Sequence, residues 1–371
     1  MREPARRTLE GMARSHFTLA ALATSAVAGA DIVATRPLST NTVGRFDSAV
    51  VTLRSGDELV VRVPRDDDAG SEQSRDLVAL NALTPGVRSR LLFHVPAYLG
   101  QTPVGDTRAV VYDYIPGRPG SLGDVGGEES ASDSIGRAIA GIHSLPTSVV
   151  SDAGLQSNSA GQIAATSRKL TDRAAASGRV PKELLTRWSL ALEDSALWQF
   201  QPTVVHGALA PESFLIAADQ VTGILNWHNL RVGDPALDLF WLNSATHIES
   251  ADRVYAAYAR AVTKPADHQL RKRARLYAEL EIARWLLHGV DSRDEAIIAD
   301  AESMLAGLHA TVKSDLLNPL STDTGQIMGL EDVEALLDRT PVSGGVAAGA
   351  ARPGSGLGPL STDHANRIAE D

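Results

Sequence analysis

The hydrophobic pattern of this chain changes at Pro116-Gly117, and this change constrains the fold more than any other sequence feature. Before it, apolar residues alternate with polar ones, which is typical of β-strands that bury one face. After residue 118 they recur every three to four residues, as in amphipathic helices. The pattern predicts an α+β protein with an antiparallel sheet in residues 31–115 and a mainly helical lobe in residues 120–312.

The amino-terminal part is predicted to contain a sheet with one helix packed on it. Strands are expected at residues 31–39, 46–56, 58–65, 93–100 and 108–116. The turn Ser55-Gly56-Asp57 has the composition of a hairpin, so the second and third strands should be antiparallel neighbours. Leucine spacing in residues 71–83 predicts a helix, for which Ser71 is the expected N-cap.

The carboxyl-terminal part is dominated by helical patterns. Helices are predicted at residues 135–146, 254–262 and 271–290. The last of these begins with a basic cluster, which we interpret as a solvated face because apolar residues follow it at helical spacing. The cluster consists of Arg271, Lys272, Arg273 and Arg275. The predicted organisation is a flexible amino terminus (1–16), a β-rich lobe (17–115), a helical lobe (116–315) and a flexible tail (316–371).

Both ends of the chain allow alternative interpretations. Arginines before the apolar run at 17–30 resemble a signal peptide. We favour a helix capped by Ser15, whose buried face is expected to contain Phe17, Leu19, Leu22 and Val27. The tail is rich in small residues and has one short helical pattern at 330–339. The sequence PLSTD occurs twice there, at 319–323 and 359–363, and chance or slippage explains it more simply than a docking motif for a protein partner.

Composition excludes several classes of function. The net charge is −10 and the acidic residues are scattered, which argues against a nucleic-acid partner. No run of eighteen apolar residues is present, so no membrane span is predicted. The chain has no cysteine, which excludes disulfides and thiol nucleophiles and fits a cytoplasmic location.

Two motifs in the helical lobe carry the chemistry. HGALAPESFL occupies residues 206–215, and NW at 226–227 precedes GDPALDL at 233–239. With the β-rich lobe and the Pro-Gly connector, these motifs resemble the aminoglycoside phosphotransferase family, whose relatives include macrolide phosphotransferases and protein kinases. The resemblance covers residues 17–310 and implies a two-lobed protein-kinase-like fold that uses ATP to phosphorylate a small molecule.

Three residues depart from the chemistry of that family. Ala208 replaces the catalytic Asp that follows His-Gly, while Ser213 and Asn226 replace the metal-binding Asn and Asp. His206 keeps its place in the loop. Removing a general base typically lowers the rate about 10²- to 10⁴-fold, and Mg²⁺ normally needs one or two carboxylates besides the phosphates. The resemblance therefore implies ATP or another nucleotide as ligand, whereas strong Mg²⁺ binding is not expected.

The resemblance also assigns roles to residues around these motifs. Asp234 and Asp238 are expected to be buried hydrogen-bond partners with a structural role. Arg62 occupies the place of the strand lysine that pairs with nucleotide phosphates, and Glu72 is its expected ion-pair partner. An ordinary surface pair between strand and helix is the alternative. The remaining nucleotide-binding positions are Tyr112, Asp113 and Tyr114.

Two functions from different classes follow. The first is a catalytically impaired, pseudokinase-like protein that binds a nucleotide or small metabolite. The alternative is an active ATP-dependent small-molecule O-phosphotransferase whose rearranged site uses Glu212, His228 or Asp234, although Glu212 is expected to be solvated. A purely structural role is a third reading, and the acceptor molecule is not identified by the sequence.

Overall fold

A computed structural model describes residues 14–38, 44–126, 130–244, 248–263 and 267–313. The chain divides into two compact units. The first contains the described residues up to Arg118 together with 215–217 and 222–229, and the second contains Pro119–Phe214, 218–221 and the described residues from Leu230 onward. The predicted tail, with its short helix and PLSTD repeat, lies outside the described residues, as do residues 1–13.

The strands are β1 (Ile32–Pro37), β2 (Phe46–Leu53), β3 (Glu58–Pro64), β4 (Tyr98–Val104), β5 (Thr107–Asp113), β6 (Arg118–Pro119), β7 (Thr203–Val205), β8 (Phe214–Ala217), β9 (Gln220–Ile224) and β10 (Arg231–Gly233). The first five form one antiparallel sheet in the order β1-β2-β3-β5-β4. This confirms the predicted antiparallel sheet. The other strands form a β10-β7 ribbon and a three-stranded sheet in the order β6-β8-β9.

The helices are α1 (His16–Ala26), α2 (Asp67–Ala82), α3 (Pro85–Arg88), α4 (Ser132–His143), α5 (Ser148–Ser151), α6 (Ala160–Ala176), α7 (Lys182–Glu193), α8 (Ile248–Ala261), α9 (Leu270–Ser292) and α10 (Glu295–Val312). Short 3-10 turns overlap the motifs, including Pro211–Ser213, Trp227–Asn229 and Pro235–Asp238. No helix in the described part of the chain is both long and apolar enough to cross a membrane.

One face of the five-stranded sheet is covered by α1. Ser15 caps this helix by accepting the N–H of Thr18, as predicted, and Leu19 and Ala23 pack on alternate residues of the strands. Phe17 is wrong as a core residue because it lies on the solvent side of the helix and is 68% exposed. The helix approaches the sheet closely at Gly100, where a Cβ atom would lie 2.1 Å from the Ala26 carbonyl oxygen.

The opposite face of the sheet carries α2, which begins earlier than the sequence suggests. Its N-cap is Asp66 rather than Ser71, and the Asp66 carboxylate accepts the N–H of Ala69 at 2.7 Å. Asp67 and Asp68 occupy the first turn, where acidic side chains interact favourably with the helix dipole. The acidic run at residues 66–68, which precedes the helix predicted at residues 71–83, therefore starts the helix.

Strand β4 begins five residues later than predicted. The preceding segment pairs elsewhere: the His94 N–H donates to the Thr222 carbonyl at 2.8 Å, and the Ile224 N–H donates to the His94 carbonyl at 3.1 Å. These bonds also explain why residues 222–229 belong to the first unit, although the whole motif region was expected in the helical lobe.

In the second unit, α4 and α8 pack so closely that a Cβ atom on Gly136 would lie 2.5 Å from the Val254 carbonyl oxygen.

The basic cluster at the start of α9 differs from the predicted solvated face. Arg273 is fully buried, because Asp234 and Asp267 neutralise its charge, whereas Arg271 is exposed and pairs with Asp252. The cluster is therefore not a uniform solvated face.

Candidate functional site

The His-Gly motif lies at the end of a short antiparallel ribbon in the second unit. Strands β7 and β10 pair so that Val205 is opposite Arg231. His206 and Gly207 follow β7 directly, and their backbone N–H groups donate to the two carboxylate oxygens of Asp238 at 2.8 and 2.7 Å. Gly207 has φ +82°, a left-handed conformation that glycine adopts without strain.

Asp238 holds this loop as a buried anion. Its Oδ2 lies 3.0 Å from Nε2 of His143, and Nδ1 of the same ring lies 2.9 Å from the Tyr258 hydroxyl. Burial by itself would raise the pKa of Asp238. The imidazole of His143 and the Gly207 N–H outweigh burial, so this pKa lies below its usual value. The carboxylate stays charged and fixes the path of the loop.

The position of the family's catalytic acid carries no ionisable group. Ala208 is buried, and its methyl group can neither accept a proton nor bind a cation. Ser213 is also buried, and its Oγ accepts the N–H of Ala210 at 3.2 Å. Glu212 is exposed to solvent. The loop therefore presents small neutral side chains where phosphotransferases have acids or amides.

Asp234 lies at the other end of the ribbon and is fully buried. It accepts hydrogen bonds from Nε and Nη2 of Arg273 at 2.7 and 3.1 Å, from the Tyr277 hydroxyl at 2.7 Å and from the Ala236 N–H at 2.9 Å. Burial would lower the pKa of Arg273, but attraction to Asp234 raises it. This acid is held in a structural network of the helical part.

In the first unit, the charge of Arg62 on β3 acts on Asp76, a buried acid outside the expected set of site residues. The guanidinium carbon of Arg62 is 4.1 Å from the centroid of the Phe46 ring, and Arg62 forms no ion pair with another described residue. Burial raises the pKa of Asp76, on α2, to about 6, although the charge of Arg62 and the N–H of Trp227 oppose this shift.

Glu72 forms its ion pair with Arg45 instead of Arg62, which corrects the expected pairing. Nη1 of Arg45 donates to Oε2 of Glu72 at 2.8 Å, and Oε1 lies 3.7 Å from Nδ1 of His228. The register of β2 and β3 explains the difference. Because Phe46 is opposite the last residue of β3, Arg45 lies beside the connection to α2, whereas Arg62 lies further back on the strand.

Asn226 begins the turn that corresponds to the family's metal-binding turn. It has φ +66°, a left-handed conformation that asparagine tolerates better than most residues. The following N–H, of Trp227, donates to Asp76 at 2.7 Å, and the Trp227 ring stacks on Phe93 with centroids 6.3 Å apart. The half-buried side-chain amide of Asn226 forms no hydrogen bond with another described residue.

The three positions at the end of β5 have different environments. Tyr112 is buried close to Asp76, without the geometry of a hydrogen bond, and burial raises the pKa of its hydroxyl. The Asp113 carboxylate accepts the N–H of Ala97 at 2.6 Å, which anchors the start of β4. The ring of Tyr114 lies under Arg36, with the guanidinium carbon 5.2 Å from its centroid.

The helical spacing of residues 72–83 is enough to predict that Asp76 is buried. Glu72, Asp76, Leu80 and Leu83 follow one another at intervals of three or four residues, so they share the buried face of α2. Buried acids on such a face need polar partners. Whether Glu72 or Asp76 interacts with Arg62 depends on the register of the strands, which the helical pattern does not specify.

The residues at the expected magnesium positions do not fit that ion. Ser213 offers a hydroxyl and Asn226 an amide oxygen, and neither carries charge, whereas Mg²⁺ sites in proteins use carboxylates. Within the described ranges, no three His, Asp or Glu side chains converge as a metal site requires. We therefore assign no step to a metal.

Comparison with known proteins gives relatives for the fold. A macrolide 2'-phosphotransferase from Brachybacterium faecium, solved as apoenzyme, is 21% identical with a TM-score of 0.65, and the match covers 78% of this chain and 98% of that one. A macrolide 2'-phosphotransferase type I is 24% identical with a TM-score of 0.61, covering 78% and 95%. The GDP complex of wild-type aminoglycoside 2'-phosphotransferase-IIIa is 18% identical with a TM-score of 0.62, covering 81% and 97%. These structures confirm the kinase-like fold.

Sequence comparison identifies a family. The uncharacterised protein YcbJ of Bacillus subtilis (strain 168) is 38% identical over 60 residues, which are 16% of this chain and 20% of that protein. This chain thus spans about a fifth of that relative. The model described as "Phosphotransferase enzyme family" matches residues 44–277, more than half of the chain. The protein therefore belongs to the phosphotransferase enzyme family.

Proposed function

We propose that this protein is a nucleotide-binding member of its family with impaired phosphotransfer, comparable to a pseudokinase. One observation carries the proposal: residue 208 is an alanine, and the two buried acids of the same motif region, Asp234 and Asp238, are held by structural hydrogen bonds. Phosphoryl transfer needs a group that orients the acceptor hydroxyl and takes its proton. A methyl group does neither.

Neither buried acid is a suitable replacement. If Asp238 took up a proton, it would give up part of its interaction with two backbone N–H groups and with His143, which together hold the His-Gly loop. Asp234 would give up its ion pair with Arg273. Both changes leave buried donors without an acceptor, which is unfavourable. The structure of the second unit therefore opposes the use of these acids as a base.

Nucleotide binding is supported by the first unit. Arg62 presents a guanidinium group that is not neutralised by an ion pair with a described residue. Guanidinium groups bind phosphate oxygens through paired hydrogen bonds. The aminoglycoside 2'-phosphotransferase-IIIa of similar fold was solved with GDP. We expect a purine nucleotide, ATP or GTP, to be the ligand of this chain.

The alternative is an active O-phosphotransferase with a relocated base. His228 supports it, because its ring lies 3.7 Å from Glu72 and an imidazole next to a carboxylate can act as a base. Glu212 is a second candidate for the base, because its side chain is exposed to solvent. Asp234, the third residue considered, is disfavoured by its buried ion pair.

Calorimetric titration with ATP and GTP, combined with assays of phosphate release and of phosphorylated aminoglycoside or macrolide, tests the proposal. We expect binding but no turnover above background. The triple variant Ala208→Asp, Ser213→Asn, Asn226→Asp should gain Mg²⁺-dependent turnover of about 10²-fold or more over the wild type, since it regains a base and two metal ligands.

Turnover by the wild type that is lost in Glu212→Gln or His228→Ala would overturn the proposal in favour of the alternative. Glu193→Gln and His268→Ala are matched controls, because both residues are exposed and lie outside the motifs. Absence of any nucleotide binding would contradict the proposal from the other side.

A further inference from the structure

Two side chains of the first unit have hydrogen-bond donors that the fold does not use. Arg62 stacks on Phe46 and forms no ion pair with a described residue. The amide of Asn226 likewise forms no hydrogen bond within the described part of the chain. Both are half-buried, so both remain accessible from solvent.

Asp76 connects these two donors. Its carboxylate accepts the N–H of Trp227, the residue after Asn226, and the charge of Arg62 acts on it. Glu72, one turn earlier on α2, lies beside His228 in the same turn. The indole Nε1 of Trp227 also donates to the Ile224 carbonyl at 2.8 Å. These contacts fix the backbone of the turn, so Asn226 keeps its place in the turn before any ligand arrives.

The chemistry of residue 226 decides what this arrangement can bind. An aspartate there would repel phosphate unless a cation lay between them, because both groups are anionic. Asparagine has the same shape, lacks the charge and carries two N–H donors. A neutral amide can therefore hydrogen-bond a phosphate oxygen directly, and the guanidinium of Arg62 supplies the positive charge.

A third group lies in the same cluster. Tyr112 is 4% exposed, and its hydroxyl has no partner at hydrogen-bond geometry, although it lowers the pKa of Asp76. Buried hydroxyl groups in folded proteins nearly always have a partner. An unsatisfied hydroxyl beside Asp76 and Arg62 is consistent with a position that a polar ligand or water completes.

We propose that the protein binds the phosphate chain of its nucleotide directly, as the metal-free anion, with the Arg62 guanidinium and the Asn226 amide as donors. This inference rests on the proposed nucleotide binding and specifies its form. The replacement at residue 226 is then an exchange of a metal ligand for a hydrogen-bond donor, and no divalent cation is needed to balance charge.

The test is calorimetric titration of the full chain with ADP, once with excess Mg²⁺ and once with a chelator. For the wild type we expect the two dissociation constants to differ by less than about threefold, which is under 1 kcal/mol. For Asn226→Asp we expect metal-free affinity to fall about tenfold or more, because an N–H donor becomes a like charge, and Mg²⁺ to restore it.

Asn81→Asp is the matched control, since it adds the same charge to an exposed residue of α2. It should change neither titration by more than about twofold, as expected for a screened surface charge. Arg62→Met should weaken binding under both conditions. Circular dichroism of each variant verifies that the fold is intact.

The outcomes separate the two proposals. Binding that occurs only with Mg²⁺, or that is unchanged in Asn226→Asp under chelation, overturns the metal-free mode while leaving nucleotide binding intact. Absence of ADP binding under both conditions overturns both proposals.

Discussion

Asp76 in the first unit and Asp238 in the second are both buried aspartates, yet their pKa values shift in opposite directions. Burial raises the pKa of Asp76 to about 6. Burial acts on Asp238 as well, but the pKa of that acid is lowered. The sign of the shift is therefore decided by the donors around each carboxylate and not by burial.

The number and quality of those donors differ. Asp238 receives two backbone N–H groups below 3 Å and the ring of His143. Asp76 receives one direct backbone N–H, from Trp227, while the charge of Arg62 and the Tyr112 hydroxyl act on it without an ion pair or a well-formed hydrogen bond. A carboxylate with several direct donors is stabilised as an anion, whereas one with a single donor is not fully compensated for lost hydration. The loop of the second unit is thus held by a permanent charge, and the turn of the first unit by a titratable one.

Removing Asp238 should have the largest effect. Asp238→Ala leaves two backbone N–H groups and His143 without their acceptor, and we expect the free energy of unfolding to fall by about 3–5 kcal/mol. Urea denaturation followed by tryptophan fluorescence measures this. Asp172→Ala on α6 is the control, because Asp172 is exposed, and it should change stability by less than about 0.5 kcal/mol. A loss of stability no larger than that of the control would show that Asp238 does not hold the His-Gly loop.

The pH dependence of Asp76 should be the next largest effect. Because its pKa is raised from 3.8 to about 6, its contribution to stability is fully present below pH 3.8 and is lost as the pH rises through about 6. The stability of the wild type relative to Asp76→Asn should therefore decrease by about 3 kcal/mol between pH 3.5 and pH 7.5. Denaturation at several pH values measures the difference.

The contribution of Asp238 to stability should depend on pH in the opposite way. Its lowered pKa means that its contribution is present above its unfolded pKa and is lost as the pH falls through the folded one. Asp238→Asn should thus lose most relative to the wild type at neutral pH and less in acid. If the stability differences of Asp76→Asn and Asp238→Asn from the wild type changed with pH in the same direction, the opposite pKa shifts of the two aspartates would be contradicted.

The smallest effect is expected for Tyr258→Phe. This change removes the hydroxyl that lies 2.9 Å from Nδ1 of His143 but keeps the ring. Stability should fall by about 1 kcal/mol, the usual worth of one hydrogen bond. The His143 ring resonances, followed by NMR across pH, would show whether the hydroxyl fixes the tautomer that faces Asp238. An unchanged ring and unchanged stability would mean that Asp238 alone positions His143.

The elements were more predictable than the partners of individual side chains. The sheet of the first unit and α4, α8 and α9 were expected from period and turn composition, because each pattern reflects a local surface that must be buried. The start of α2 was misplaced because Asp66, Asp67 and Asp68 read equally well as a charged loop or as a helix N-terminus. The burial of Arg273 was missed because its acidic partners lie 39 and 6 residues away in the chain.

Residue identity at a motif position requires no coordinates, so the amino-acid sequence suffices to show that Ala208, Ser213 and Asn226 stand where related phosphotransferases have acids and metal ligands. It also determined the change from strand to helix pattern. The pairing of Glu72 with Arg45 and the hydrogen bond between Asp76 and the turn after Asn226 are visible only in the folded protein. Those contacts join residues distant in the chain, and their geometry follows from strand register and helix packing, which local patterns do not specify.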